Sequence, residues 1–129
     1  MSDNHILYIE DNPGNRMLVR RILEAEGYKI TEATDGPAGL EIAAQEHFDL
    51  ILLDINLPEI DGYDLAKRMR SMPNLDGVPI LAVTANVMQG DKERTLAAGC
   101  DGFIPKPIDV DKLPELVQTA LDRGRTSQG

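Results

Sequence analysis

Aromatic residues and cysteine are scarce in this sequence. It has no tryptophan, three tyrosines, two phenylalanines and one cysteine among 129 residues. A core built from such a chain is mainly aliphatic, and a lone Cys100 excludes an internal disulfide framework. Following Gly99, that cysteine reads as a packed small hydrophobe rather than a nucleophile. Basic residues are outnumbered, 13 Lys and Arg against 22 Asp and Glu, which gives a formal net charge of −9. Phosphate backbones demand a basic footprint, so the balance argues against nucleic acid as a direct partner. No leader pattern of basic, apolar and small residues opens the chain, and no apolar run approaches the ~18 residues of a membrane span. These absences favour the cytoplasm and no membrane partner.

What remains is the composition of an ordinary globular domain, 42% hydrophobic and 27% charged. The length suits one domain spanning 1–129. Its core is expected over about 5–123, after a polar lead-in and before a frayed tail at 124–129. Five apolar, β-branched runs alternate with five stretches of helical pattern. Ile6-Leu7-Tyr8-Ile9 is the first run, followed by a helix with Asn12 as N-cap, Pro13 in its first turn and Gly27 at its end. Tyr28 to Ala33 reads as a second strand, and Asp35-Gly36-Pro37 turns into a helix ending near Glu46. The third run, Leu50-Ile51-Leu52-Leu53, is continuously apolar, as suits a strand covered on both faces. A short helix follows Gly62, a fourth strand covers Pro79 to Val83, and a helix runs from about Asp91 to Ala98. Met88-Gln89-Gly90 reads as the loop leading into that helix. Gly102-Phe103-Ile104 forms a brief fifth strand, and the last helix spans about Asp111 to Arg123. Alternating βα units with short connections predict a doubly wound, five-stranded parallel sheet with helices on both faces and strand order 2-1-3-4-5.

The chemistry collects where the strands end. Glu10 and Asp11 end the first, Asp54 the third, Thr84 the fourth, and Lys106 follows the fifth. In an open α/β sheet, ligands bind at the carboxyl ends of strands beside the reversal of strand order. That crevice brings Glu10, Asp11 and Asp54 together, with Thr84 and Lys106 closing the other side. Three gathered carboxylates repel one another, and a hard divalent cation removes the conflict. All-oxygen ligation, with no His or Cys at a strand end, points to Mg²⁺, with Mn²⁺ as the alternative. Lys106 then serves as a point charge for phosphoryl oxygens, Thr84 as a hydroxyl donor, and Asp54 as a nucleophile that carries a phosphoryl group. Taken singly, each residue has a plainer reading: a turn former, a helix cap, or an acidic pair facing a helix dipole. Their joint placement on one edge does not.

Ile9-Glu10-Asp11-Asn12, Leu53-Asp54-Ile55-Asn56-Leu57-Pro58 with Asp61-Gly62, Val83-Thr84-Ala85 and Lys106-Pro107 together resemble the receiver domains of bacterial two-component response regulators. The resemblance covers His5 to Arg123. It implies that Asp54 is the phosphoacceptor and that Glu10 and Asp11 hold the metal, one of them through water. It further implies that Asn56 offers its backbone carbonyl as a ligand, and that Thr84 and Lys106 bind the phosphoryl group. A cis bond between Lys106 and Pro107 is implied, as is a switch role for Phe103 where many relatives have Tyr. Asn56 and Asn86 would tune phosphoryl lifetime. The implied partners are a histidine kinase or histidine phosphotransfer domain and a downstream protein target, with the chain a monomer or a phosphorylation-linked dimer. Met17 and Leu18, outside and at the edge of the first helix's apolar stripe, are a candidate docking surface. His5 and His47 lie away from the strand ends and receive no role.

Two rival readings compete for the same residues. An aspartate-nucleophile phosphatase of the haloacid dehalogenase kind wants a second Asp two residues after the nucleophile, where this chain has Asn56. A flavodoxin-like FMN carrier needs a hydroxyl- and glycine-rich phosphate loop after the first strand, where Glu10 and Asp11 would repel an anion. Within the favoured class, a phosphorelay intermediate, a diffusible regulator and a domain cut from a hybrid kinase all remain open.

Overall fold

The computed structural model describes residues 4–57, 60–85 and 89–128. Five strands, β1 (His5–Ile9), β2 (Lys29–Ala33), β3 (Leu50–Asp54), β4 (Ile80–Thr84) and β5 (Gly102–Pro105), pair in parallel in the order β2-β1-β3-β4-β5. Five helices connect or follow them: α1 (Pro13–Ala25), α2 (Gly36–Gln45), α3 (Gly62–Arg70), α4 (Gln89–Ala97) and α5 (Lys112–Gln128). The expected sheet order is the observed one. The reversal of strand order falls between β1 and β3.

Local chemistry explains where the elements start and stop. The Asn12 side chain accepts the Asn15 backbone N–H, so α1 begins at Pro13 with a donor of its first turn satisfied. Gly27 follows that helix with φ of 92°, a left-handed conformation that a side chain would resist. Asp35 caps α2 in the same way, through the Ala38 N–H. Gly62 opens α3 where the chain presses on the end of β3: a Cβ there would lie 2.4 Å from the Ile55 Cα.

Alternation along the strands divides the interior in two. Ile6, Tyr8, Leu50, Leu52, Leu81, Val83 and Ile104 face α1 and α5, meeting Val19, Leu23, Leu113 and Val117. Leu7, Ile9, Ile51, Leu53, Ile80 and Ala82 face the other way, against Ala43, Leu65 and Met69 of α2 and α3. β3 and β4 are buried along their whole length, as unbroken apolar runs require. Each buried Leu or Ile contributes roughly 2 kcal/mol relative to exposure.

Three boundaries depart from the sequence reading. α5 runs to Gln128, beyond the Arg123 at which the sequence pattern ended the last helix; Gly124 costs only about 1 kcal/mol in a helix interior. α4 already includes Gln89 and Gly90, which shortens the expected loop; Met88 lies outside the described residues. His5 opens β1 instead of preceding it, and a 3₁₀ turn at Pro73–Leu75 had no signal in the periodicity. Among the described residues, no helix is long and apolar enough to cross a membrane.

Candidate functional site

The strand alternation that builds the α1/α5 core also aims the site. Tyr8 pairs with Leu52, so two residues further on Glu10 stands level with Asp54. Ile104 lies on the same face, and Lys106 is two residues beyond it. Carboxylate oxygens of Glu10, Asp11 and Asp54 lie within 4.8 Å of one another. Glu10 and Asp54 are 1% and 2% exposed, whereas Asp11 is open to solvent. The Lys106 ammonium reaches back over the rim to donate to Asp54 Oδ1 at 3.0 Å and stands 3.8 Å from Glu10 Oε1. Thr84, buried at the end of β4, accepts the Lys106 backbone N–H at its carbonyl oxygen at 2.9 Å. The Asn56 N–H donates to Asp54 Oδ1 at 3.0 Å, and the Lys106–Pro107 bond is cis. The five residues expected at the strand ends therefore gather on one edge of the sheet.

Their electrostatics follow from burial. Loss of water pushes the Glu10 carboxyl up to about 7, and its hydrogen bond to the Asp54 carboxyl and that group's charge add to the effect. The Asn12 N–H and the Lys106 charge pull the other way. A crowded acidic set with one proton held abnormally tightly is a set short of positive charge. Its donors are all oxygen, and no His or Cys belongs to the cluster. Glu10, Asp11 and Asp54 thus fit a hard divalent cation such as Mg²⁺, which takes one or two carboxylates and keeps its remaining positions for water and phosphate.

With this geometry in view, comparison with known proteins decides the family. The family model for the response regulator receiver domain matches residues 6–118. This chain belongs to that family. Among relatives of the receiver domain is the polar-differentiation response regulator DivK of Brucella ovis, 39% identical over 116 residues, covering 90% of this chain and 94% of that one. Among solved structures is the chemotaxis response regulator CheY4 of Vibrio cholerae. It superposes with a TM-score of 0.88 at 28% identity, over 92% of this chain and 99% of that one. The receiver domain of sensor histidine kinase PA1611 from Pseudomonas aeruginosa PAO1 superposes with a TM-score of 0.85 at 36% identity, over 94% and 99%. That crystal structure has a magnesium ion coordinated in its active site cleft. Receiver domains are regulators of two-component signalling that bind Mg²⁺ at an acidic site and interact with histidine kinases and downstream targets. A phosphoacceptor signalling role fits this chain.

Other residues of the receiver domain fall into place around that cleft. Phe103 lies half-buried in β5 beside Ala82, with the Lys92 ammonium 5.6 Å from its ring centre. Met17 and Leu18 are 54% and 37% exposed on α1, in keeping with positions outside and at the edge of the apolar stripe. Cys100 is buried, and burial pushes its thiol up to about 12, which makes it inert as a nucleophile at neutral pH. The His5 ring meets the Thr31 hydroxyl and packs on Phe48, and the His47 ring lies 3.4 Å from Asp49. A hollow of about 480 Å³ opens between β4, β5 and α5, lined by Val78, Leu81, Asp101, Phe103, Leu116 and Arg123, with none of Glu10, Asp11 and Asp54 in its lining. Pro58 and Asn86 lie outside the described residues.

Two contributors escaped the sequence reading. Arg16, one turn into α1, donates through Nη1 to the carbonyl oxygens of Glu10 and Asp11, both at 2.9 Å, and so fixes the backbone of the acidic pair. A cation in the first turn after an acidic strand end was the available signal. Tyr8 is the second, its hydroxyl 3.0 Å from Glu10 Oε1. Its position two residues before Glu10 shares the strand face, but apolar neighbours made it read as core.

Proposed function

We propose that this receiver domain takes a phosphoryl group from a histidine kinase or histidine phosphotransfer domain onto Asp54, in a reaction that depends on a divalent cation. The observation that carries the reading is the convergence of Asp54 with two further carboxylates within 4.8 Å and with the Lys106 ammonium at 3.0 Å. Glu10, Asp11 and Asp54 would hold the cation, with the Asn56 backbone carbonyl as a further ligand. Bound there, Mg²⁺, or Mn²⁺ in its place, supplies positive charge to a phosphoryl group that would otherwise be repelled by a rim of carboxylates.

The residues then act in sequence. An Asp54 oxygen attacks phosphorus in line, the P–N bond to the donor imidazole breaks, and the imidazole nitrogen leaves with the electron pair and regains a proton. A new P–O bond makes an aspartyl phosphate. Lys106 transfers its hydrogen bond from the Asp54 carboxylate to a phosphoryl oxygen, and the Thr84 hydroxyl donates to another. Both contacts exist only in the phosphorylated protein, so they favour a second arrangement of Thr84, the loops beside it and Phe103. That shift changes affinity for a downstream protein or passes the phosphate onward. Water attack on the aspartyl phosphate returns the resting state, with Asn56 and Asn86 tuning its lifetime. No separate metabolite is transformed, so the domain acts as a cytoplasmic switch, monomeric or dimerising on phosphorylation, with one core domain over about 5–123.

Intact-mass measurement with a small phosphodonor tests this reading. A single phosphate-sized gain that needs Mg²⁺ and vanishes in Asp54→Asn is expected. An undiminished gain in Asp54→Asn, or none in the native chain, would overturn it.

A further inference from the structure

Tyr8 is 0% exposed in the aliphatic layer between the sheet and helices α1 and α5, where its neighbours include Ile6, Leu52, Val19 and Leu23. An apolar side chain would fill that layer without the cost of burying a hydroxyl, and a buried hydroxyl persists only where a partner meets it. Here the partner is a carboxylate at the cation site: the hydroxyl donates to Glu10 Oε1 at 3.0 Å. Asn15 Nδ2 donates to the same oxygen at 3.4 Å, and the Asn12 N–H donates to Oε2 at 3.2 Å. Each carboxylate oxygen offers two lone pairs. Tyr8 and Asn15 therefore meet Oε1, which also stands 3.8 Å from the Lys106 ammonium, so the carboxylate is held from beneath and from the side of α1.

We propose that Tyr8 is a positioning residue of the cation site, its buried hydroxyl fixing the rotation of the Glu10 carboxylate within the cluster it forms with Asp11 and Asp54. The inference rests on reading Glu10, Asp11 and Asp54 as that site. A phenol carries its proton at neutral pH, so the hydroxyl donates to the carboxylate. Neighbours of this kind, which orient a ligand without touching the metal, are worth about 10–100-fold in affinity. A freely rotating Glu10 would lose entropy on each binding event that the tyrosine has already removed.

The test compares the native chain with Tyr8→Phe, which keeps the ring and its packing, and measures Mn²⁺ affinity directly by titration. Tyr8→Phe is expected to bind Mn²⁺ about 10-fold more weakly. The half-saturating Mg²⁺ for phosphorylation should rise by the same factor, with an unchanged plateau rate. Equal affinity in Tyr8→Phe, or a lowered plateau with no shift in the Mg²⁺ midpoint, overturns the proposal. A native chain that binds no Mn²⁺ overturns instead the underlying site. Should the variant fail to fold, the native protein gives a second measure. With no tryptophan in the chain, a Mg²⁺ titration should produce a tyrosine ultraviolet difference spectrum whose midpoint matches Mn²⁺ competition. A silent spectrum on saturation would equally refute it.

Discussion

The carboxyl of Glu10 should make this protein less stable as the pH rises, in a window set by two pKa values. In the unfolded chain it titrates near 4.5; in the fold, burial and the Asp54 carboxyl push it up to about 7. Below about pH 4.5 both states hold the proton, and the folded state enjoys the full advantage of its tighter grip. Between 4.5 and 7 the unfolded chain releases its proton first, so stability falls with each increment of pH. Above about 7 both are ionised, and the loss is complete. At 1.36 kcal/mol per pH unit, the gap amounts to about 3 kcal/mol, or roughly 10 °C in melting temperature for a domain of this size. Thermal or urea unfolding in EDTA, from pH 5 to 8, reads the effect. Background from the other acidic residues cancels in the difference between the native chain and Glu10→Gln, which mimics the protonated carboxyl at every pH. Glu10→Gln should be the more stable by about 3 kcal/mol at pH 8 and should converge on the native chain toward pH 4.5. Excess Mg²⁺ should erase the advantage by stabilising only the native site. Parallel profiles for the two proteins would refute the reasoning.

Other substitutions test the remaining supports. Lys106→Ala leaves the buried Asp54 carboxylate without its ammonium partner and should cost about 2 kcal/mol in EDTA, less than a fully buried pair because Lys106 reaches solvent. Urea unfolding checks this, and added Mg²⁺ should restore most of the loss. Gly62→Ala drives a Cβ to 2.4 Å from the Ile55 Cα and 2.6 Å from its carbonyl oxygen, against backbone that cannot rotate away. About 3 kcal/mol or more of destabilisation is expected in the same assay. Asn12→Ala removes the cap on the Asn15 N–H and should cost about 1 kcal/mol. Because the Asn12 backbone N–H still reaches Glu10, its Mn²⁺ affinity should stay within about 3-fold of native.

The sheet order was legible because continuous apolar runs and helical stripes alternated without exception along the chain. The site was legible for a related reason: in a parallel sheet every strand delivers its last residue to the same edge, so Glu10, Asp11, Asp54 and Thr84 had to meet. Lys106 needed only the length of its own side chain to join them. The missed parts depend on side-chain reach rather than on periodicity. Arg16 bends back over the start of α1 to two carbonyl oxygens, a contact hinted at only by a cation in the turn after an acidic strand end. Tyr8 sits in an apolar run, and only its burial beneath Glu10 shows that its hydroxyl serves the rim. The last helix was expected only to about Arg123, whereas α5 runs to Gln128, since a single glycine inside a long helix is tolerated.

The central claim is that the crowded carboxylate on β3 is the one that becomes phosphorylated. Locating the label decides it most directly: react the native chain with a phosphohistidine donor and Mg²⁺, reduce the acyl phosphate with borohydride, and sequence the peptides by tandem mass spectrometry. A reduced residue at position 54 alone is the result predicted. Reduction at any other residue, or a label that survives because it is not an acyl phosphate, would contradict the account.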